Sequence, residues 1–262
     1  MKKVFKKILI VFGYLVLTSM LVAYFYFTSV LVHKKTEDRC QEVAVYIRDS
    51  AAIPLTTAEE IFSYLSETGW VLPGKEFASI DLFQLEKDIE KFNAVRKCNA
   101  VRNIKGTLRL DIWQHTPLFL LEIENGTFYI SKDGFIFPRP NEKQLPVLVV
   151  NGHVPFSHGR LYRGKADSTD TWIQEAIPFV THIVKDAFWS KKTKSIWVQA
   201  PTDVCLMPEE ALELKIGDLH NFPEKMYRLR EFYRVLEPRG GVEKYKVVDA
   251  RYKNQLVCTH KK

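Results

Sequence analysis

The hydrophobic residues of this chain form one long uninterrupted block near the start and many short periodic groups after it. The block covers residues 8–32, which are 25 positions without a charge. As a helix it would span roughly 37 Å, enough to cross the ~30 Å hydrocarbon core of a membrane. Its outer end, residues 24–27, is Tyr-Phe-Tyr-Phe, bulky where a signal peptidase needs small side chains. The block therefore favours an uncleaved signal anchor over a cleaved signal peptide.

The next 75 or so residues predict one small α+β module in the order strand, helix, helix, strand, strand. Thr56 and Thr57 each stand three residues before a glutamate, which is the spacing of a capping box. Ile61, Phe62 and Leu65 then recur at helical spacing, so we expect them to face inward. The predicted elements are a strand at 41–47, a helix ending at Gly69, a helix opening at Asp81, and strands at 95–101 and 107–113.

The second predicted helix of this module is amphipathic. Leu82, Leu85, Ile89 and Phe92 fall on one stripe. Four charged residues occupy the opposite positions, where we expect them to face water. They are Glu86, Lys87, Glu90 and Lys91.

Beyond residue 116 the pattern changes to short strands with two helices among them. Asn125-Gly126 predicts a tight hairpin turn, and Pro178 lies inside one predicted helix, where proline can bend it. The predicted strands are 118–123, 127–130, 135–137, 145–150, 195–199, 204–207, 212–216 and 245–258, and the predicted helices are 169–190 and 222–236.

The last of these segments, 245–258, predicts one long half-buried strand at the end of the chain. Such a strand often lies at a sheet edge, where unpaired N–H and C=O groups can be completed by a strand of a partner. The alternative is an ordinary edge strand whose lysines discourage aggregation, and the pattern alone favours this alternative.

Charge supports a membrane segment and argues against nucleic-acid binding. The chain carries a net charge of +7, but six lysines lie in the first 35 residues, which contain no acid. From residue 36 onward 32 basic residues face 31 acidic ones. Four of the lysines precede the hydrophobic block, which predicts that the N-terminus lies inside and about 230 residues lie outside.

The sequence offers no catalytic or metal-binding motif. The seven histidines include no H-E-x-x-H pair, and no phosphate-binding glycine loop or nucleophile elbow is present. We therefore expect no enzyme activity, no cofactor and no small-molecule substrate. Four cysteines are widely spaced: Cys40, Cys98, Cys205 and Cys258. An oxidising compartment would allow three pairings, but small apolar residues in strands explain the cysteines equally well, so no disulfide is assigned.

With these elements in order, the chain resembles the FtsQ/DivIB family of cell-division proteins. Residues 41–113 resemble a POTRA domain, with Ile-Asp-Leu at 80–82 and Leu-Glu-Lys at 85–87 similar to its second-helix signature. His-Thr-Pro-Leu at 115–118 and the segment 126–138 are similar to the passage into the family's β-domain, although Ile130-Ser131 departs from its usual isoleucine-aspartate.

The end of the chain, residues 246–255, resembles the terminal Asp-Leu-Arg-Tyr strand of the family, with Ala250 in place of the leucine. Members from the Bacteroides-like lineage are most similar. The resemblance implies that Arg251 and Tyr252 contact a partner, with Asn254 and Gln255 just beyond them on the edge. It implies the periplasmic parts of FtsB/FtsL-type single-pass coiled-coil proteins, and other divisome members, as partners.

The predicted fold class is α+β, with one transmembrane helix, a POTRA domain (β-α-α-β-β), and a mixed β-domain that holds a long antiparallel sheet and two flanking helices. We expect a cytoplasmic tail at 1–7, an anchor at 8–32, the POTRA domain at 40–115 and the β-domain at 116–262. The implied function is a non-enzymatic division-site scaffold of the inner membrane. A POTRA-bearing outer-membrane assembly or secretion factor and a membrane-anchored periplasmic enzyme are the alternatives.

Overall fold

The structure is a computed structural model with two compact units. It describes residues 2–36, 39–49, 55–92, 94–103, 105–139 and 145–261, and within the first helix it describes the side chains of residues 12–30. The first unit is formed by 1–48, 57–92 and 97–113, and the second by 49–56, 93–96 and 114–262.

The predicted hydrophobic block forms a helix, α1, over Lys2–Thr36. Within it Phe12–Val30 is a 19-residue stretch of mean hydropathy 1.4. None of this stretch is buried inside the protein. By length and composition α1 is compatible with a single-pass membrane anchor.

The first unit has the predicted order of elements. Its strands are β1 (Glu42–Ile47), β2 (Val95–Arg102) and β3 (Thr107–Gln114), and its helices are α2 (Ala58–Glu67) and α3 (Leu82–Ile89). The three strands form a sheet in the order β1-β3-β2, in which β1 runs parallel to β3. The strand-helix-helix-strand-strand prediction is confirmed.

Both helices of this unit begin at the caps that the sequence predicted. Thr57, the second of the two threonines, closes a capping box with Glu60 at the start of α2. Asp81 accepts a hydrogen bond of 3.0 Å from the backbone N–H of Gln84 at the start of α3. These side chains satisfy N–H groups that have no partner within a helix's first turn.

Two predictions about helix faces are wrong. Phe62 is 42% exposed although Ile61 and Leu65 are buried. The carboxylates of Glu86 and Glu90 do not simply face water, because they accept hydrogen bonds from the backbone N–H groups of Ala100 (2.6 Å) and Cys98 (3.3 Å). These acids therefore satisfy donors of β2, at one edge of the small sheet.

The second unit is built on a ten-stranded sheet in the order β13-β12-β11-β10-β9-β7-β4-β5-β6-β8. The sheet is mixed, since β4–β7, β7–β9 and β11–β12 pair in parallel and the other neighbouring strands are antiparallel. The strands are β4 (Pro117–Ile123), β5 (Gly126–Ser131), β6 (Phe135–Pro138), β7 (Leu148–Gly152), β8 (Gly164–Lys165), β9 (Thr193–Ala200), β10 (Asp203–Pro208), β11 (Glu213–Gly217), β12 (Tyr245–Asp249) and β13 (Val257–His260).

Three helices accompany this sheet: α4 (Thr171–Lys185), α5 (Trp189–Lys192) and α6 (Phe222–Leu236). The bounds of α6 are those predicted, and Pro178 lies inside α4. The single helix predicted at 169–190 divides because the Asp186 carboxylate accepts the N–H groups of Phe188 (3.0 Å) and Trp189 (3.1 Å), which opens a separate turn.

The sheet carries a hydrophobic core on each face. On one face the buried sides of α4 and α6 pack in a large cluster with residues such as Phe119, Leu121 and Val150. On the other face Leu120, Tyr129 and Phe137 belong to a smaller cluster. Strands buried on both faces read as continuous apolar runs, which explains the uninterrupted Leu-Phe-Leu-Leu of β4.

Candidate partner-binding edge

The outermost strand at one end of the large sheet is β13, and its outer side pairs with no other described strand. Its inner side pairs antiparallel with β12, from Tyr245 opposite His260 to Asp249 opposite Val257. β12 itself lies between β11 and β13, so its backbone is paired on both sides. The free edge is thus a strand of four residues.

The prediction of one long strand over 245–258 is wrong. The chain forms β12, turns, and returns as β13, so the segment is a hairpin. Asn254 lies in the turn with a φ of +61°, in the left-handed region that asparagine tolerates better than most residues. The apparent alternation through this segment included Tyr252 as a buried position, but Tyr252 is 48% exposed in the turn.

Arg251, which the family resemblance assigns to a partner contact, binds two acids of its own domain. Its Nε lies 3.0 Å from each carboxylate oxygen of Asp249, and its Nη1 lies 3.5 Å from Asp203 Oδ1. Burial acts to raise the pKa of the Asp249 carboxyl, but the hydrogen bonds and charge of Arg251 outweigh it and hold that pKa below its usual value. The Arg251 side chain is still 40% exposed.

A glycine makes room for this arginine. Gly217, the last residue of β11, has a φ of +75°, and a Cβ placed there would lie 2.7 Å from Cγ of Arg251. The stem of Arg251 therefore lies directly on the backbone of β11. Any larger residue at 217 would displace the arginine and strain the backbone.

The other three predicted contact residues lie in the same turn. Tyr252 is 48% exposed, and Asn254 and Gln255 are exposed as well. The structure thus brings all four predicted residues together on one exposed turn beside β13. It places none of them on the edge strand itself, where we had expected them.

Arg228 of α6 stabilises this turn through hydrogen bonds. The sequence analysis did not identify this role. Its guanidinium donates to three backbone carbonyls of the turn, those of Ala250 (3.0 Å), Tyr252 and Gln255 (2.8 Å). An arginine on a charged helix face carries no sequence signal for such a role, because its partners are backbone atoms more than 20 residues away.

One hydrogen bond just beyond β13 shows which of its backbone N–H and C=O groups point inward and which point outward. The N–H of Lys261 donates to the carbonyl of Lys244 at 2.9 Å, so residue 261 points inward. Backbone groups of an antiparallel strand alternate between its two sides, so those of Thr259 also point inward. The N–H and C=O of Cys258 and His260 therefore point outward along the free edge.

The four cysteines are free, and Cys40, Cys98 and Cys205 are buried. Burial raises the pKa of Cys98 and of Cys205 to about 12, which keeps both as unreactive thiols. Among the described residues no group of three histidine, cysteine or acidic side chains is arranged to hold a metal ion.

Comparison with known protein families agrees with this architecture. Residues 38–113 match the model of a POTRA-like domain, which defines the chain as a POTRA-containing protein. Residues 116–259 match the model described as FtsQ/DivIB, C-terminal related, over more than half of the chain. The chain therefore belongs to the FtsQ/DivIB family of cell-division proteins, whose members are generally non-enzymatic division scaffolds. No curated protein matches the chain.

Proposed function

We propose that this protein is a non-enzymatic divisome scaffold that accepts a strand from a partner at β13. The partners are FtsB/FtsL-type single-pass coiled-coil proteins, and the scaffold links early and late division proteins and controls septal peptidoglycan synthesis. The observation that carries the proposal is the free edge of β13, where Cys258 and His260 present outward backbone groups. An extended peptide gains main-chain hydrogen bonds at such an edge.

In this proposal the N-terminus is cytoplasmic and both folded units lie in the periplasm. The four lysines before the hydrophobic block support that orientation. The boundaries proposed are a tail at 1–7, an anchor at 8–32, a POTRA domain at 40–115 and the family's β-domain at 116–262.

The turn residues have separate roles in this proposal. Tyr252 offers a large amphipathic ring beside the edge, a residue type enriched at binding hot spots. Arg251 is held by Asp249 and Asp203 and mainly shapes the turn, while its exposed part contacts the partner. Asn254 and Gln255 extend the contact with side chains that can donate and accept hydrogen bonds.

A proline at residue 260 tests strand addition. His260→Pro removes an outward N–H and leaves the inward ladder to β12 intact, a position where edge strands tolerate proline. We expect the affinity for an FtsB/FtsL-type partner to fall about tenfold, the effect of one lost ladder bond plus the steric cost of the ring. The measurement is titration of partner onto the reconstituted full chain.

Two variants serve as controls. His260→Ala removes the imidazole, whose ring centroid lies 4.5 Å from that of Tyr245, but keeps the backbone N–H. It therefore separates the affinity lost with the side chain from the affinity lost with the backbone donor. Lys253→Pro changes the turn without touching an edge donor. If His260→Pro binds as tightly as His260→Ala, strand addition at β13 is wrong.

A further inference from the structure

A second surface of the large sheet has the character of a binding site. A groove of about 630 Å³ lies where β4 and β7 end, beside β9. Its volume is in the range of ordinary ligand sites, and it opens to solvent. The lining residues that matter here are Glu122, Glu124, Asn151, Gly152, His153 and Trp197.

Three of these residues form a row across neighbouring strands. Asn151 of β7 is in register with Glu122 of β4 on one side and with Trp197 of β9 on the other. With strands about 4.8 Å apart, the outer two Cα atoms are about 10 Å from each other. Side chains alternate along a strand, and the preceding residues, Leu121, Val150 and Ile196, all belong to the large core cluster. The row therefore lies on the opposite face from α4 and α6.

The negative charge at this row has no counter-charge in an ion pair among the described residues. Neither Glu122 nor Glu124 makes an ion pair within the described part of the chain. Asn151, between Glu122 and Trp197, adds no charge, and its Oδ1 is buried without a hydrogen-bond partner among the described residues. The indole of Trp197 is 42% exposed, a large apolar surface beside these acceptors. A ligand that fits must bring positive charge and an apolar stem or flat cation that can pack on the indole.

We propose that this groove binds a lysine or arginine side chain presented by a partner polypeptide. The cation lies at Glu122 and Glu124, and its methylene stem or guanidinium plane packs on Trp197. Charge complementarity selects this occupant over a neutral sugar, which could stack on the indole but would leave two carboxylates without a counter-charge.

Gly152 keeps the floor of the groove in place. It has a φ of +106°, and a Cβ there would lie 2.2 Å from the carbonyl oxygen of Val198. Only glycine permits this close approach. The next residue, His153, donates its N–H to the same oxygen at 2.7 Å. The loop that forms one wall is thus fixed to β9.

This site is separate from strand addition. β9 lies four strands from β13 in the sheet, about 19 Å at ordinary strand spacing. A variant in the groove leaves the β13 edge intact, and the His260→Pro variant leaves the groove intact. Failure of one proposal therefore does not imply failure of the other.

The test is calorimetric titration of the full chain in zwitterionic nanodiscs at low ionic strength with three probes. They are acetyl-Lys-Lys-Lys-amide, its Nε-acetylated counterpart and a neutral N-acetylglucosamine trimer. We expect the basic peptide alone to bind. Glu122→Gln and Trp197→Ala should each weaken it about two- to fivefold, typical of exposed ion pairs and cation–π contacts.

Glu224→Gln is the matched control, because it removes the same charge from an exposed position at the start of α6, outside the groove. Equal weakening by Glu224→Gln would mean general charge attraction and would overturn the proposal. So would absence of peptide binding, insensitivity to Glu122→Gln, or binding of the neutral trimer in place of the peptide. Glutamine has nearly the same side-chain volume as glutamate, so Glu122→Gln should fold normally. The proposal can therefore be tested even if Trp197→Ala impairs folding.

Discussion

At the scale of single residues, His115 is an unusual buried titratable group. Its ring is stacked on Phe135 at 3.9 Å and is only 6% exposed as a residue. Burial lowers the pKa of His115 to about 4, against a smaller opposing effect of Asp133. The imidazole is therefore almost entirely neutral in the folded protein near pH 7.

This arrangement predicts acid sensitivity in a defined window. The folded-state pKa is below the unfolded value of about 6.5, so the stabilisation is complete above pH 6.5 and is lost as pH falls toward 4. We expect the free energy of unfolding to fall by about 3 kcal/mol over that window. His115→Phe keeps the stacking and should flatten the dependence in urea titrations, whereas His220→Gln, at an exposed site, should not. A wild-type curve that is flat from pH 7 to 4 would contradict this account.

Single residues also mark the limit of sequence reasoning at the candidate site. Arg251 was assigned to a partner because its position matches the family motif, but Asp249 and Asp203 lie within its reach in the fold. Asp203 could not be paired with it without knowing that the start of β10 lies close to this turn, whereas Asp249 is only two residues away in the sequence. The capping residues Thr57 and Asp81 were predictable because their partners are three residues away.

At the scale of elements, local periodicity identified most strands and helices. α6 has the predicted bounds because its apolar positions recur at helical spacing and a proline opens it. The error at 245–258 arose where a tertiary contact decides the structure. The turn at Asn254 is stabilised by α6, so local pattern alone could not separate a hairpin from a long strand.

The stabilising contact makes a prediction for Arg228. Arg228→Ala removes three hydrogen bonds to carbonyls of the turn, and we expect the free energy of unfolding to fall by about 1–2 kcal/mol. Partner affinity should also fall, because the turn and β13 lose their fixed position. Urea denaturation measures the first effect and partner titration the second.

The control is Arg234→Ala on the same helix, where the arginine forms an ion pair and hydrogen bonds with Glu231, one turn away. That variant should leave both the free energy of unfolding and the partner affinity nearly unchanged. If Arg228→Ala behaves like Arg234→Ala, the turn does not depend on α6.

At the scale of the whole molecule, the order of parts was predictable although strand pairing was not. An apolar block followed by two compositionally distinct regions is visible in the sequence, and the two family matches follow the same order. The ten-strand order, with its three parallel pairs, depends on contacts between residues far apart along the chain. Residue spacing does not encode those contacts.

The hydrophobic helix α1 gives a prediction for the whole chain. Leu17→Arg together with Leu21→Arg places two charges in the centre of α1, each costing about 2.5–3.5 kcal/mol on insertion. We expect the protein to leave the membrane fraction and its fluorescent fusion to lose midcell localisation. The isomeric pair Leu17→Ile and Leu21→Ile should retain both. Midcell localisation that survives the arginine pair would show that α1 is not what holds the protein there.

The central claim, strand addition at β13, is tested most directly by residue-resolved amide hydrogen exchange with and without an FtsB/FtsL-type partner. In the free protein we expect fast exchange at Cys258 and His260 and slow exchange at Thr259, which already pairs with β12. Binding should slow Cys258 and His260 and leave Thr259 unchanged. A bound complex in which Cys258 and His260 still exchange fast would contradict the account.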